Sequence, residues 1–188
     1  MAPLILLFIR HAEKSGENWP GPGLTEKGEQ DSKSLVIRGW QRAGAWAALF
    51  GAGRGGDDYP APQKIYAATP GAPNHLNHGP SSRPAETIIP LASRLGFDPD
   101  ETFAKGDEHK LVQKLLALSG TVLVCWEHKA IVHDILPNIP VSTGVPPTDW
   151  HDTRYDVVLR FDRPDGGQKF GFRALYPKLL SGDSKDPL

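Results

Sequence analysis

The sequence predicts an α/β fold with buried strands of the parallel type and a C-terminal β-hairpin. Three observations predict it. Leu4-Ile5-Leu6-Leu7-Phe8-Ile9 and Thr121-Val122-Leu123-Val124-Cys125-Trp126 are short, unbroken apolar runs, the pattern of strands buried on both faces of a parallel sheet. Between them lie segments whose apolar residues recur at helical spacing. Near the C-terminus, two strand-like runs flank Pro164-Asp165-Gly166-Gly167, a turn that pairs them as a hairpin.

Taken in chain order, the first apolar run is a strand followed by a Gly/Pro/charged loop over 12–34. Trp40, Ala43, Ala47 and Phe50 mark one apolar face of a helix over 38–50, ended by Gly51. Lys64 to Ala68 reads as a second strand, and 70–82 as a Pro/Gly/Asn loop. Ser82 as N-cap and Pro84 in the first turn start a helix running to Leu95, with Gly96 as its stop. Pro90 inside it predicts a kink or a late start. A further helix covers 107–118, with Leu111, Leu115 and Leu118 facing the core. After the second apolar run, Ala130 to Leu136 is a short helix stopped by Pro137. Residues 138–153 read as a Pro/Thr/Gly connection, Tyr155 to Phe161 and Phe170 to Leu175 as the hairpin strands, and 181–188 as a loose polar tail. The organisation is one domain over 1–180 plus that tail.

Composition bounds the function. The 188 residues suffice for one domain with a substantial core. A net charge of −1 supplies no global basic field for nucleic acid or an anionic membrane. The N-terminal apolar run is too short to span a bilayer and lacks the flanks of a signal peptide. The single cysteine, Cys125, excludes an intrachain disulfide and a cysteine-rich zinc site. It is compatible with a cytoplasmic setting.

The chemistry concentrates where the two apolar runs end. Arg10-His11 closes the first and Glu127-His128-Lys129 follows the second. In open α/β sheets ligands bind beyond the carboxyl ends of the strands. Arg83, at a helix start, joins this set. A neutral imidazole attacks phosphorus in line, and arginine forks match phosphoryl oxygens bidentately. An imidazolium at His128 donates to a phosphate oxygen.

With these residues the chain resembles the histidine phosphatase superfamily, the phosphoglycerate-mutase-like phosphatases. Phe8-Ile9-Arg10-His11-Ala12-Glu13-Lys14 is similar to the family's Arg-His signature. Leu35-Val36-Ile37-Arg38-Gly39 with Gln41-Arg42-Ala43 looks like its Leu-Thr-x-x-Gly helix start. Ser82-Arg83-Pro84-Ala85-Glu86-Thr87 resembles its second-arginine motif, and Val122 to His128 its second-histidine strand. The resemblance covers most of 4–136. It implies a three-layer α/β/α sandwich with a mostly parallel central sheet, that His11 is the nucleophile, that Arg10, Arg83 and His128 form the phosphate pocket, and that no metal or other cofactor is needed. Ala12 departs from the family's usual glycine. Lys129 stands where one branch places an acid, which argues against phytase-like or acid-phosphatase-like members. In the other branch's order Glu108 fits best as proton donor, with Asp107, Glu13 and Glu127 as alternatives. Lys14 and Lys129 add positive potential or are simply solvated.

Other readings are weaker. Cys125 lacks the following arginine of a cysteine phosphatase. Gly51 to Gly56 matches G-x-G-x-x-G formally, but it follows a helix and fails the strand–turn–helix context. His75 and His78 have no evident third metal ligand. No G-x-S-x-G elbow or Walker A loop is present. The expectation is therefore a cytoplasmic phosphatase acting on a small phosphorylated substrate, without nucleic-acid or membrane partners. The alternatives are a phosphate-binding module without turnover and a phosphomutase.

Overall fold

A computed structural model of the chain describes residues 1–53, 55–70 and 81–188. His75, His78 and most of the 70–82 loop lie outside the described residues, so the expectations placed on them do too. The elements are β1 (Leu4–Arg10), α1 (Ile37–Gly51), β2 (Lys64–Ala67), α2 (Arg83–Leu95), α3 (Glu108–Leu116), β3 (Gly120–Trp126), α4 (His128–Ala130), β4 (Val141–Thr143), β5 (Val158–Arg163) and β6 (Phe170–Leu175). A π-turn over Ile131–Ile135 and a 3-10 turn over Leu136–Asn138 extend α4.

The strands form one six-stranded sheet in the order β2-β3-β1-β5-β6-β4. β2 with β3, β3 with β1, and β4 with β6 pair parallel. β5 pairs antiparallel with both β1 and β6, and β5–β6 is the C-terminal hairpin. Period-two alternation sends the side chains of each strand to opposite faces. Leu4, Leu6 and Phe8 of β1 pack with α3 and the segment after β3, around Val122, Val124 and Trp126. Leu7 and Ile9 pack on the other face with α1 and α2, through Trp46, Phe50, Ile88 and Leu91. Helices on both faces of the sheet make the three layers, and β1 and β3 at its centre are almost wholly buried.

Several boundaries differ from the sequence reading. α2 begins at Arg83 and continues through Pro90 to Leu95, with Gly96 left-handed (φ 76°) at its end as the stop. The expected late start does not occur. The short helix begins at His128 rather than Ala130, because Glu127 caps it by accepting from the Lys129 and Ala130 amides. β4 lies inside the stretch read as an irregular connection. β5 starts three residues later than expected, since Tyr155 and Asp156 are engaged in side-chain contacts instead of the ladder. The tail is not loose: Asp183 accepts from both Nη atoms of Arg42, and the Ser184 amide donates to Asp156. Among the described residues, no helix is long and apolar enough to cross a membrane.

Candidate active site

Parallel pairing sets the site. β1 and β3 run side by side with Arg10 opposite Trp126. The His11 amide donates to the Trp126 carbonyl at 3.0 Å, continuing the ladder one residue past the strand. The register therefore delivers His11-Ala12 and Glu127-His128 to the same edge of the sheet, at the carboxyl ends of two neighbouring strands.

His11 is buried, and its Nδ1 lies 2.8 Å from the Ala12 carbonyl oxygen. A carbonyl only accepts, so Nδ1 carries the proton and Nε2 keeps its lone pair. Burial pushes the imidazole pKa down to about 3, and the charges of Arg10, Arg83 and His128 act in the same direction against the opposing Ala12 hydrogen bond. His11 is thus a neutral ring of fixed tautomer with three cationic or potentially cationic neighbours. The loop that carries it is clamped from α2. Thr87 Oγ1 accepts from the Ala12 amide at 2.8 Å and donates to the Arg83 carbonyl at 2.6 Å. From the other side α1 presses close: a Cβ on Gly39 would stand 2.5 Å from the Glu13 carbonyl oxygen. The glycine in the Leu35–Gly39 motif thus permits this contact.

Arg10 is only 1% exposed. Its Nη1 donates to the carbonyls of His151, Asp152 and Arg154 at 3.3, 2.9 and 2.9 Å. Its guanidinium carbon sits 3.9 Å from the Tyr155 ring centroid, a cation–π contact. Nε is buried without a hydrogen-bond partner. One side of the guanidinium is used to hold the 151–154 loop, and Nε remains a donor without an acceptor. Burial draws its pKa below the ordinary arginine value, yet arginine stays charged. Arg83 opens α2 and reaches the loop before α1, donating to the Ser32 and Ser34 carbonyls at 2.5 and 3.2 Å and to Ser81 Oγ at 3.4 Å. That loop is held by Glu86, which accepts from Ser34 Oγ and the Leu35 amide.

His128 is also buried. Its Nε2 lies 2.6 Å from Asp152 Oδ1. Its Nδ1 is 2.9 Å from Glu127 Oε1, an ion pair when the ring is protonated. The structure thus brings Arg10, His11 and His128 to one edge, with Arg83 close enough to bias the charge on His11.

The acidic candidates fall in different surroundings. Glu108 is buried on the α3 side, where Oε1 accepts from Trp126 Nε1 at 2.9 Å and Oε2 from the Gly106 amide at 2.8 Å. Glu13 Oε1 is held by Arg42 through Nε and Nη2. Asp107 accepts from Lys110 and the Ala104 amide. For Glu127, burial favours a raised pKa, but His128 and the amides of Lys129 and Ala130 outweigh it and keep the carboxylate ionised. Lys14 and Lys129 are exposed. Cys125 is fully buried, and burial raises its thiol pKa, so it behaves as a packed strand residue.

Sequence reasoning missed Asp152 and Tyr155. Both lie in or beside the stretch read as a connection, and only the tertiary fold carries them to the strand ends. A cavity of about 400 Å³ lies among Trp19, Arg42, Arg154, Tyr155, Asp156 and Asp183, and Arg10, His11, Arg83, His128 and Asp152 are not among its walls. Among the described residues, no three His, Cys, Asp or Glu side chains are grouped to hold a metal ion.

Comparison with known proteins places this arrangement on a known fold. No protein-family model matches the chain, and no curated protein matches it in sequence. Solved structures do match. The protein histidine phosphatase SixA, determined with tungstate, aligns over 92% of this chain and 97% of its own at TM-score 0.57 and 12% identity. The mycobacterial glucosyl-3-phosphoglycerate phosphatase Rv2419c aligns over 93% and 98% at TM-score 0.48 and 12% identity. Mycobacterial hydrolase 2 aligns over 98% and 94% at TM-score 0.49 and 12% identity. The chain therefore has the fold of SixA across nearly its whole length.

Proposed function

We propose that this protein is a phosphatase that hydrolyses small phosphate monoesters through a phosphohistidine on His11. The observation that carries the proposal is the state of His11. Its Nδ1–H is spent on the Ala12 carbonyl, which leaves a neutral Nε2 as nucleophile beside the unpartnered Nε of a buried arginine. Both features suit a phosphoryl group: an in-line nucleophile and an unanswered cationic donor. The resemblance of the Arg10-His11, Arg83 and His128 motifs to histidine phosphatases, and the fold in common with SixA, support the same reading.

In the first step the His11 Nε2 lone pair attacks phosphorus as the ester P–O bond breaks. Arg10, Arg83 and His128 neutralise the equatorial oxygens. In the second step water attacks the phosphohistidine and releases inorganic phosphate. The chemistry uses only side chains of this chain, with no metal or other cofactor. We place the enzyme in the cytoplasm, in keeping with its lone, buried thiol. The experiment is steady-state hydrolysis of an aryl phosphate by the parent chain and by His11→Ala. The expected result is turnover by the parent and none above background by the variant, with an unchanged circular dichroism spectrum. Equal rates contradict the assignment.

A further inference from the structure

We propose that Asp152 is the proton donor of this site, delivering its proton to the leaving oxygen and recovering one from the attacking water. The inference rests on the phosphatase reading above. Leaving an alkoxide behind is the costly part of ester cleavage, so a positioned acid is expected near His11. Glu108, Glu13, Asp107 and Glu127 each have an oxygen committed to backbone amides, Trp126, Arg42 or Lys110. Asp152 differs. Its Oδ1 touches a pocket imidazole, 2.6 Å from His128 Nε2. Its side chain is 71% exposed, which opens a path for proton exchange with solvent. Its backbone is fixed, because its carbonyl accepts from Arg10 Nη1 at 2.9 Å. Its carboxylate faces His128 and Arg10, two of the groups assigned to the phosphoryl oxygens.

The step balances. As the His11 N–P bond forms and the P–O bond breaks, the Asp152 carboxyl proton passes to the departing oxygen and leaves a carboxylate. That carboxylate then takes a proton from water while the water oxygen attacks phosphorus and the N–P bond breaks, which restores the acid. In the free protein His128, Lys129 and Arg10 hold the carboxylate ionised. A bound phosphate dianion counters those cations and places negative charge beside Asp152, which favours proton uptake on binding. Tyr155 and Glu127 face the same group of charges.

The test compares Asp152→Asn with the parent on a dinitrophenyl phosphate, whose leaving group needs no proton, and on an alkyl phosphate, whose leaving group does. The expected result is a loss of about 10²-fold or more in kcat/KM on the alkyl ester and less than about threefold on the activated one, with phosphohistidine still forming from the latter. Equal slowing of both esters, or no effect on either, overturns the Asp152 assignment alone. So does a leaving-group-selective loss in Glu108→Gln with none in Asp152→Asn. A parent chain that releases no phosphate from either ester overturns this assignment and the phosphatase reading together.

Discussion

His11 Nδ1 and the Ala12 carbonyl oxygen stand 2.8 Å apart, a hydrogen bond between adjacent residues that fixes which nitrogen of the ring is basic. This contact decides the chemistry available at the strand end. An imidazole free to exchange tautomers presents its lone pair to the pocket only part of the time. Here the backbone holds it there continuously.

The first prediction concerns that ring. With its pKa near 3, chiefly from burial, His11 is neutral throughout the pH range 5–8. Nitrogen-15 NMR is expected to report a single Nδ1–H tautomer that does not titrate there. A resonance assigned to His11 that titrates near 6.5 contradicts it. The sign of the linked stability follows. The unfolded ring takes up a proton below about 6.5 while the folded one does not until about 3. The native state therefore loses this contribution as pH falls through that interval, and His11→Asn is expected to flatten the acid limb of the Tm profile.

The second concerns the clamp on the nucleophile loop. Thr87→Val keeps the shape of the side chain but removes the acceptor for the Ala12 amide. An unsatisfied buried N–H costs about 1–3 kcal/mol. The expected outcome in urea unfolding is a loss of that size, with a fall in kcat from a looser His11. A variant with the parent's midpoint and kcat argues against the clamp.

The third concerns the pocket cations. Arg83→Ala removes a guanidinium that biases His11 and that we assign to phosphate. Hydrogen bonds to charged groups contribute about 1.5–3 kcal/mol, so tungstate or phosphate affinity is expected to fall roughly 10–150-fold by calorimetry. An unchanged Kd places Arg83 outside the anion site.

The fourth concerns the C-terminal segment. Asp183 forms a two-bond pair with Arg42, whose Nε and Nη2 also hold Glu13, two residues after His11. Asp183→Ala leaves Arg42 half-paired and is expected to destabilise by about 1–3 kcal/mol. Deletion of 181–188 is expected to do at least as much. If the truncated chain unfolds at the parent's urea midpoint, the strap has no structural role.

The contrast between His11 and Asp152 explains what the sequence could disclose. The two histidines are legible because each follows an unbroken apolar run, and parallel strands that share a register deliver their ends to one edge. The ends of α2 are legible through Pro84 in its first turn and Gly96 at its stop, residues with local backbone roles, whereas Ser82 holds the N-cap position without the side-chain cap expected of it. Asp152 lies in a stretch without period, and its partner is 24 positions earlier. The docking of Asp183 depends on Arg42, 141 positions away, and a polar tail carries no local mark of such a partner. Glu108 shows the same limit from the other side. Its place in chain order suggests an acid, while its contacts with Trp126 and Gly106 are visible only in three dimensions.

The central claim is that phosphorus becomes bonded to His11. Rapid quench of the enzyme with an activated phosphate ester, followed by mass spectrometry under alkaline conditions that preserve phosphohistidine, tests it directly. A transient phosphoryl group on the peptide containing His11, attached at Nε2 and absent from His11→Ala, is the predicted result. Turnover with no phosphorylated histidine, or with the label on His128, contradicts it.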